Sequence, residues 1–166
     1  KELQSNLDFE YVSLDELYKN SDIISLHCPL TSDTKYIINS NNISKMKDGV
    51  MIINTGRGKL INTIDLIEGL KSKKIGAAGL DVYEEEADYF FEDHSTEILD
   101  DDVLARLLTF NNVIVTSHQA FFTKEALSNI AETTLKSVSE LESAKKLSYE
   151  IAYVCENGNC SPKDIK

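Results

Sequence analysis

Two rhythms of apolar residues run along this chain. Short apolar runs bounded by turn residues alternate with stretches in which apolar positions recur every three or four residues. The short runs predict strands over 23–28, closed by Pro29, and over 51–54, leading into Thr55-Gly56-Arg57-Gly58. Two more are expected over 76–82, where small residues suggest close packing, and over 113–116, ending at Ser117-His118. Runs of this kind read as strands buried on both faces, as in a parallel sheet. A further short strand is expected over 9–12. The helical rhythm predicts helices over 13–19, 40–46, 63–71, 102–108 and 124–145. Ser13 and Glu16 have capping-box spacing, and Asn62 is placed to cap the helix at 63–71, whose apolar face is Ile64, Leu66, Ile67 and Leu70. In the longest helix Leu127, Ile130, Ala131, Leu135, Val138 and Leu141 share one face. Strand alternating with helix throughout defines an α/β chain, a Rossmann-like parallel sheet with helices on both faces and right-handed crossovers.

That fold gives three polar residues a common address. Arg57, Asp81 and His118 each follow a predicted strand, and the carboxyl ends of parallel strands share the edge where open α/β sheets bind ligands. Gly56 and Gly58 let the backbone turn sharply around Arg57 and approach a ligand closely. A guanidinium fork suits bidentate capture of a carboxylate, and an imidazole suits proton transfer near neutral pH. A carboxylate beside the histidine would fix its tautomer and stabilise the imidazolium. Glu84, Glu85 and Glu86, just past Asp81, are all candidates for that place. Together these groups suit a carboxylate-bearing substrate whose neighbouring carbonyl gains or loses a proton. Plainer readings stand beside each: Arg57 paired with a surface acid, His118 a satisfied core histidine, Asp81 capping a turn, the glutamates a solvated loop. His27 reads as structural, inside a strand, and His94 as a surface residue among acids.

Composition narrows the partners. The 166 residues suit one domain with a sizeable core. The net charge is −11, but ten Asp and Glu and no Lys or Arg fall between Glu84 and Asp102, leaving the remainder nearly neutral. There is no basic stripe for nucleic acid and no run approaching the roughly 20 apolar residues of a membrane span. Of three cysteines, Cys28 reads as a buried free thiol, while Cys155 and Cys160 are too few for a zinc site without nearby histidines, so no metal centre is expected. A reduced, cytoplasmic setting is the simplest reading.

Four motifs occur in order: Ser25-Leu26-His27-Cys28-Pro29-Leu30-Thr31, Ile53-Asn54-Thr55-Gly56-Arg57-Gly58, Gly79-Leu80-Asp81-Val82-Tyr83-Glu84-Glu85-Glu86 and Ser117-His118-Gln119-Ala120-Phe121. They resemble the D-isomer-specific 2-hydroxyacid dehydrogenases, and most of all the fermentative D-lactate dehydrogenase branch, which the acidic Phe90-Phe91-Glu92-Asp93 loop also favours. The resemblance implies an oxidoreductase moving a hydride between NAD(H) and a small D-2-hydroxy acid or 2-oxo acid, D-lactate and pyruvate being the expected pair. It places the substrate-carboxylate arginine at Arg57, the proton donor at His118 and its carboxylate partner at Glu86, the third of the three glutamates. It places Asp81, Thr55, Gly56 and Arg57 near the nicotinamide half of the cofactor, and Cys28, Pro29 and Thr34 along its adenosine side. For the full-length enzyme it implies a homo-oligomer.

The resemblance is also incomplete. The family's glycine-rich turn, the acidic ribose-binding residue beyond it and most of the substrate domain have no counterpart here. Residues 1–145 are therefore expected to be a partial NAD-binding domain carrying the catalytic residues, part of a longer enzyme and inactive alone. Residues 146–166 are expected to be a divergent tail. Ser117 stands where many family members have proline. A domain of the same fold that senses dinucleotides or binds proteins without catalysis is the alternative, disfavoured by the presence of Arg57, Glu86 and His118 together.

Overall fold

Parallel strands β1 (Ile23–Leu26), β2 (Val50–Asn54), β3 (Ile75–Leu80) and β4 (Val113–Val115) pair in that order in a computed structural model. It describes residues 9–90, 96, 100–143, 146–149, 153–156 and 159–162. Chain contacts define two compact units, Lys1–Ala120 and Phe121–Lys166. The expectations for Phe91, Glu92, Asp93 and His94 lie outside the described residues.

Register decides which side chains share a face. Ile24, Ile52, Ala78 and Val113 form one row across the sheet, and Leu26, Asn54, Leu80 and Val115 form another on the same face. Against these rows pack Tyr18 from α1 (Leu14–Asn20), Ile43 from α2 (Ser40–Lys45), Leu66, Ile67 and Leu70 from α3 (Thr63–Lys71) and Leu107 from α5 (Asp102–Leu108), making one core. The intervening row, Ser25, Ile53, Gly79 and Ile114, faces the other way. On that face Ile23 is 60%, Met51 38% and Ile114 70% exposed. These strands, expected to be buried on both sides, are therefore buried on one. The reason is topological: with right-handed crossovers, strands added in one direction place every connecting helix on the same face. Two-sided layering needs a reversal of strand order, and the order β1-β2-β3-β4 contains none.

Local signals did their work at the helix starts. Ser13 and Glu16 close the capping box of α1, and the Asn62 side chain accepts from the Asp65 N–H at 3.0 Å to open α3. Ile64, assigned to the apolar face of α3, is exposed instead, because Thr63, Leu66, Ile67 and Leu70 define the buried stripe. Residues 9–12 form no strand, and β1 and β4 end before His27 and Thr116, so the site residues beyond them sit in turns. A four-residue helix that the apolar rhythm does not show, α4 (Glu86–Tyr89), starts at Glu86.

In the second unit α6 (Lys124–Glu142) is capped by Thr123, and its stripe of Leu127, Ile130, Leu135, Val138 and Leu141 is exposed. Strands β5 (Tyr153–Glu156) and β6 (Asn159–Pro162) pair antiparallel, with Glu156 opposite Asn159. Only Asn157-Gly158 lies between them, the dipeptide most favoured in two-residue hairpins, so this pairing had a signal in the sequence.

Candidate active site

The turn after β2 is built by Asn54. This residue is 1% exposed; its Oδ1 accepts from the Gly56 N–H at 3.0 Å and its Nδ2 donates to the Arg57 carbonyl at 2.9 Å. An asparagine bonding its own backbone two residues on is a standard turn device, and here it fixes both sides of Gly56. Arg57 then leaves the sheet edge with its Nη1 donating to the Gly56 carbonyl at 2.8 Å and the rest of its fork exposed. A cleft of about 510 Å3 opens beside it, lined by His27, Cys28, Pro29, Leu30, Thr55, Gly56 and Arg57. Five of these were expected on the cofactor side. His27 was not: it lies past the end of β1, not inside it, with its Nε2 2.8 Å from the Ser25 hydroxyl. Cys28 also lies beyond the strand, half-buried rather than buried. Thr34 is not among the residues lining the cleft. Its hydroxyl donates to the Pro29 carbonyl at 2.6 Å and accepts from the Thr31 N–H at 2.8 Å, so it holds the loop that carries Pro29.

Asp81 organises the turn that presents His118. Its carboxylate is 5% exposed and accepts from the Thr116 hydroxyl, the Gln119 N–H at 2.8 Å and the Ala120 N–H at 2.9 Å. Its carbonyl accepts from the His118 N–H at 2.7 Å. These bonds hold His118 at φ 51°, a left-handed conformation uncommon for a residue with a side chain. Burial pushes the Asp81 pKa up, but the bonds from Thr116, Ala120 and Gln119 and the nearby His118 outweigh it, leaving the carboxyl below its ordinary value. Asp81 also lines a second cleft with Ile53, Thr55, Gly79, Thr116 and Gln119, so Thr55 belongs to both.

His118 meets Glu86, not Glu84 or Glu85. Nδ1 lies 3.1 Å from Glu86 Oε1, with the side chains 30% and 18% exposed. An ionised carboxylate can only accept, so Nδ1 carries the proton of that bond. The second oxygen of Glu86 accepts from the Tyr83 N–H at 3.1 Å, which fixes the carboxylate from behind. Tyr83 is itself anchored: its hydroxyl donates to Asp101 at 2.7 Å, and burial first, then that acid, push its pKa up. Asp101 in turn caps α5 through the Val103 and Leu104 N–H groups. Glu85 sits 3.5 Å from Lys59, and Glu84 accepts from the Thr63 N–H at 3.0 Å. Burial raises the Glu84 pKa, opposed by the hydrogen bonds from Thr63 and reinforced by the charge of Glu85.

The site thus joins a hydrogen-bonded histidine–glutamate pair to a turn holding an arginine, all on the carboxyl edge of a parallel sheet. The chain belongs to the D-isomer-specific 2-hydroxyacid dehydrogenase family: its residues 1–120 match the model of that family's NAD-binding domain. Among curated relatives, D-lactate dehydrogenase of Escherichia coli is 50% identical over 145 residues, covering 87% of this chain and 44% of that protein. An aromatic 2-oxoacid reductase of Clostridium sporogenes is 54% identical over 133 residues, covering 80% and 40%. The pyruvate reductase of Chlamydomonas reinhardtii superposes with a TM-score of 0.81 at 42% identity, covering 90% of this chain and 46% of that structure. D-lactate dehydrogenase of Lactobacillus jensenii, solved with NAD+, gives 0.78 at 35% identity, covering 86% and 43%. The chain therefore spans less than half the length of the relatives it matches.

Proposed function

We propose that the protein carrying this chain reduces a small 2-oxo acid to the D-2-hydroxy acid, and runs the reverse reaction, with NAD(H) as the redox partner. The observation that carries the proposal is the Glu86–His118 pair, held at 3.1 Å beside the strand ends that present Arg57 and Asp81. The residues around the Arg57 cleft suit a dinucleotide. Gly56 offers a backbone without a side chain at the sheet edge, and Cys28, Pro29 and Leu30 give an apolar wall facing the polar Thr55. Bound there, NADH supplies the hydride that reaches the carbonyl carbon. Arg57 holds the substrate carboxylate with its fork, fixing which carbon of the substrate faces the sheet edge. His118 Nε2 gives its proton to the carbonyl oxygen as that oxygen gains charge, and Glu86 stabilises the ring by accepting from Nδ1. Asp81 keeps the histidine turn in place throughout.

Pyruvate and D-lactate are the substrate pair this reading favours, in a cytoplasmic, homo-oligomeric enzyme. No helix among the described residues is long and apolar enough to cross a membrane. The test uses the full-length natural protein that contains this sequence, with NADH oxidation followed on pyruvate and on an aromatic 2-oxo acid. His118→Gln is expected to lower kcat by about 100- to 10,000-fold, the usual worth of a general acid, while NADH affinity changes only a few-fold. Unchanged turnover in that variant refutes the enzyme reading. NADH binding without turnover on any 2-oxo acid in the parent protein would favour the dinucleotide-sensing alternative.

A further inference from the structure

The three glutamates after β3 have three different surroundings, and that of Glu84 links the two halves of the site. Thr63 is the first residue of α3, where backbone N–H groups lack partners inside the helix. Asn62 serves the Asp65 N–H, and Glu84 Oε1 takes the Thr63 N–H at 3.0 Å, placing a carboxylate at the positive end of the helix. Five residues upstream the same two segments touch again. A Cβ on Gly58 would lie 2.0 Å from the Tyr83 carbonyl oxygen and 2.6 Å from the Glu84 nitrogen, so the backbones meet there with no room for a side chain. Between these contacts the chain is braced internally, with Leu60 N–H on the Arg57 carbonyl at 3.2 Å and Ile61 N–H on the Gly58 carbonyl at 3.0 Å. The stretch from Arg57 to Thr63 is therefore a short braced bar. It abuts Tyr83-Glu84 at Gly58, is bonded to Glu84 at Thr63 and is pinned along its middle to Tyr36 and Ile38. Two residues beyond Glu84 comes Glu86, held by the Tyr83 N–H and meeting His118.

We propose that Glu84 is a positioning residue that sets the placement of Arg57 relative to the Glu86–His118 pair by clamping the start of α3 to the loop carrying Glu86. Its catalytic consequence rests on the function proposed above. Glu84 touches no substrate; it acts through the Arg57–Thr63 bar. What the clamp needs is an acceptor for the Thr63 N–H rather than a charge, so glutamine can replace glutamate and alanine cannot.

The test compares Glu84→Ala and Glu84→Gln in the full-length protein. With alanine, kcat on the 2-oxo acid is expected to fall about 10- to 100-fold, the scale of a misplacement near 1 Å, with NADH affinity within about twofold and the melting temperature nearly unchanged. Glutamine is expected to restore kcat to within about threefold of the parent, the residue of a small geometric change. Hydrogen exchange across 58–63 supplies a readout independent of turnover: faster by about tenfold or more in the alanine variant, as for a segment whose local opening has become easier, and near the parent rate with glutamine. An alanine variant with parental kcat overturns the proposal, and so does equal impairment of both variants. A kcat loss that simply tracks a fall in melting temperature overturns it as well. If the parent protein reduces no 2-oxo acid, the functional reading fails by itself, and exchange across 58–63 still decides the clamp: unchanged exchange in Glu84→Ala overturns it.

Discussion

At Asp81, burial and hydrogen bonding pull in opposite directions, and the hydrogen bonds win. Three donors converge on one carboxylate, and two of them are the backbone N–H groups that immediately follow His118. Its folded pKa lies below the ordinary carboxylate value, so the ionised form stabilises the fold above the unfolded-state pKa of about 3.9 and loses that effect as pH falls through the lower folded value. Asp81→Asn puts an amide NH2 where the carboxylate received an N–H, on either the Gln119 or the Ala120 side. The expected cost near pH 7 is about 1–3 kcal/mol, and thermal melts should show the gap between variant and parent narrowing below about pH 4. A gap that stays constant from neutral to acid pH would show that the charge on Asp81 contributes nothing. Glu84 carries the opposite sign: its raised pKa means the ionised form costs stability, a cost that starts to fall as pH drops through that raised value and is gone below the unfolded-state pKa of about 4.3.

Between elements, the governing contact is backbone against backbone where the turn after β2 meets the loop after β3. Gly58→Ala drives a methyl into the Tyr83 carbonyl, and a carbonyl in a packed loop cannot swing aside as a side-chain tip can. Destabilisation of about 1–3 kcal/mol or more is expected, read from urea unfolding, together with loss of turnover in the full-length protein. A parental midpoint and activity would mean the two segments do not meet as described. Helix starts were legible in the sequence because a cap is a local affair: Ser13 with Glu16 and Asn62 with Asp65 need no tertiary information. The glycine turn around Arg57 was legible too. The means of building it was not assigned, although Asn54 standing two residues before Gly56 is the signal for a side chain that bonds its own turn. Residue chemistry alone left three glutamates open for His118, and only the motif resemblance singled out Glu86. The distinction arises from α4, a single turn too short to leave a periodic trace.

Across the whole molecule, what the hydrophobic pattern could not reveal was sidedness. Ile52 and Ile114 both sit in apolar runs, yet one is wholly buried and the other 70% exposed, because coverage depends on strand order and not on composition. In the 166-residue chain, Ile114→Thr is expected to change stability by no more than about 0.5 kcal/mol, whereas Ile52→Thr should cost about 2 kcal/mol or more. Comparable losses at both positions in chemical denaturation would show that the second face is covered. The parallel sheet and the shared carboxyl edge that carries Arg57, Asp81 and His118 were legible from the alternation of strands with helices. One contact described above has a reach beyond the site. Because the Tyr83 hydroxyl is fastened to Asp101, the segment after β3 is tied to the cap of α5. Tyr83 also gives Glu86 its backbone N–H, so a change at the α5 cap reaches the Glu86–His118 pair without touching either residue.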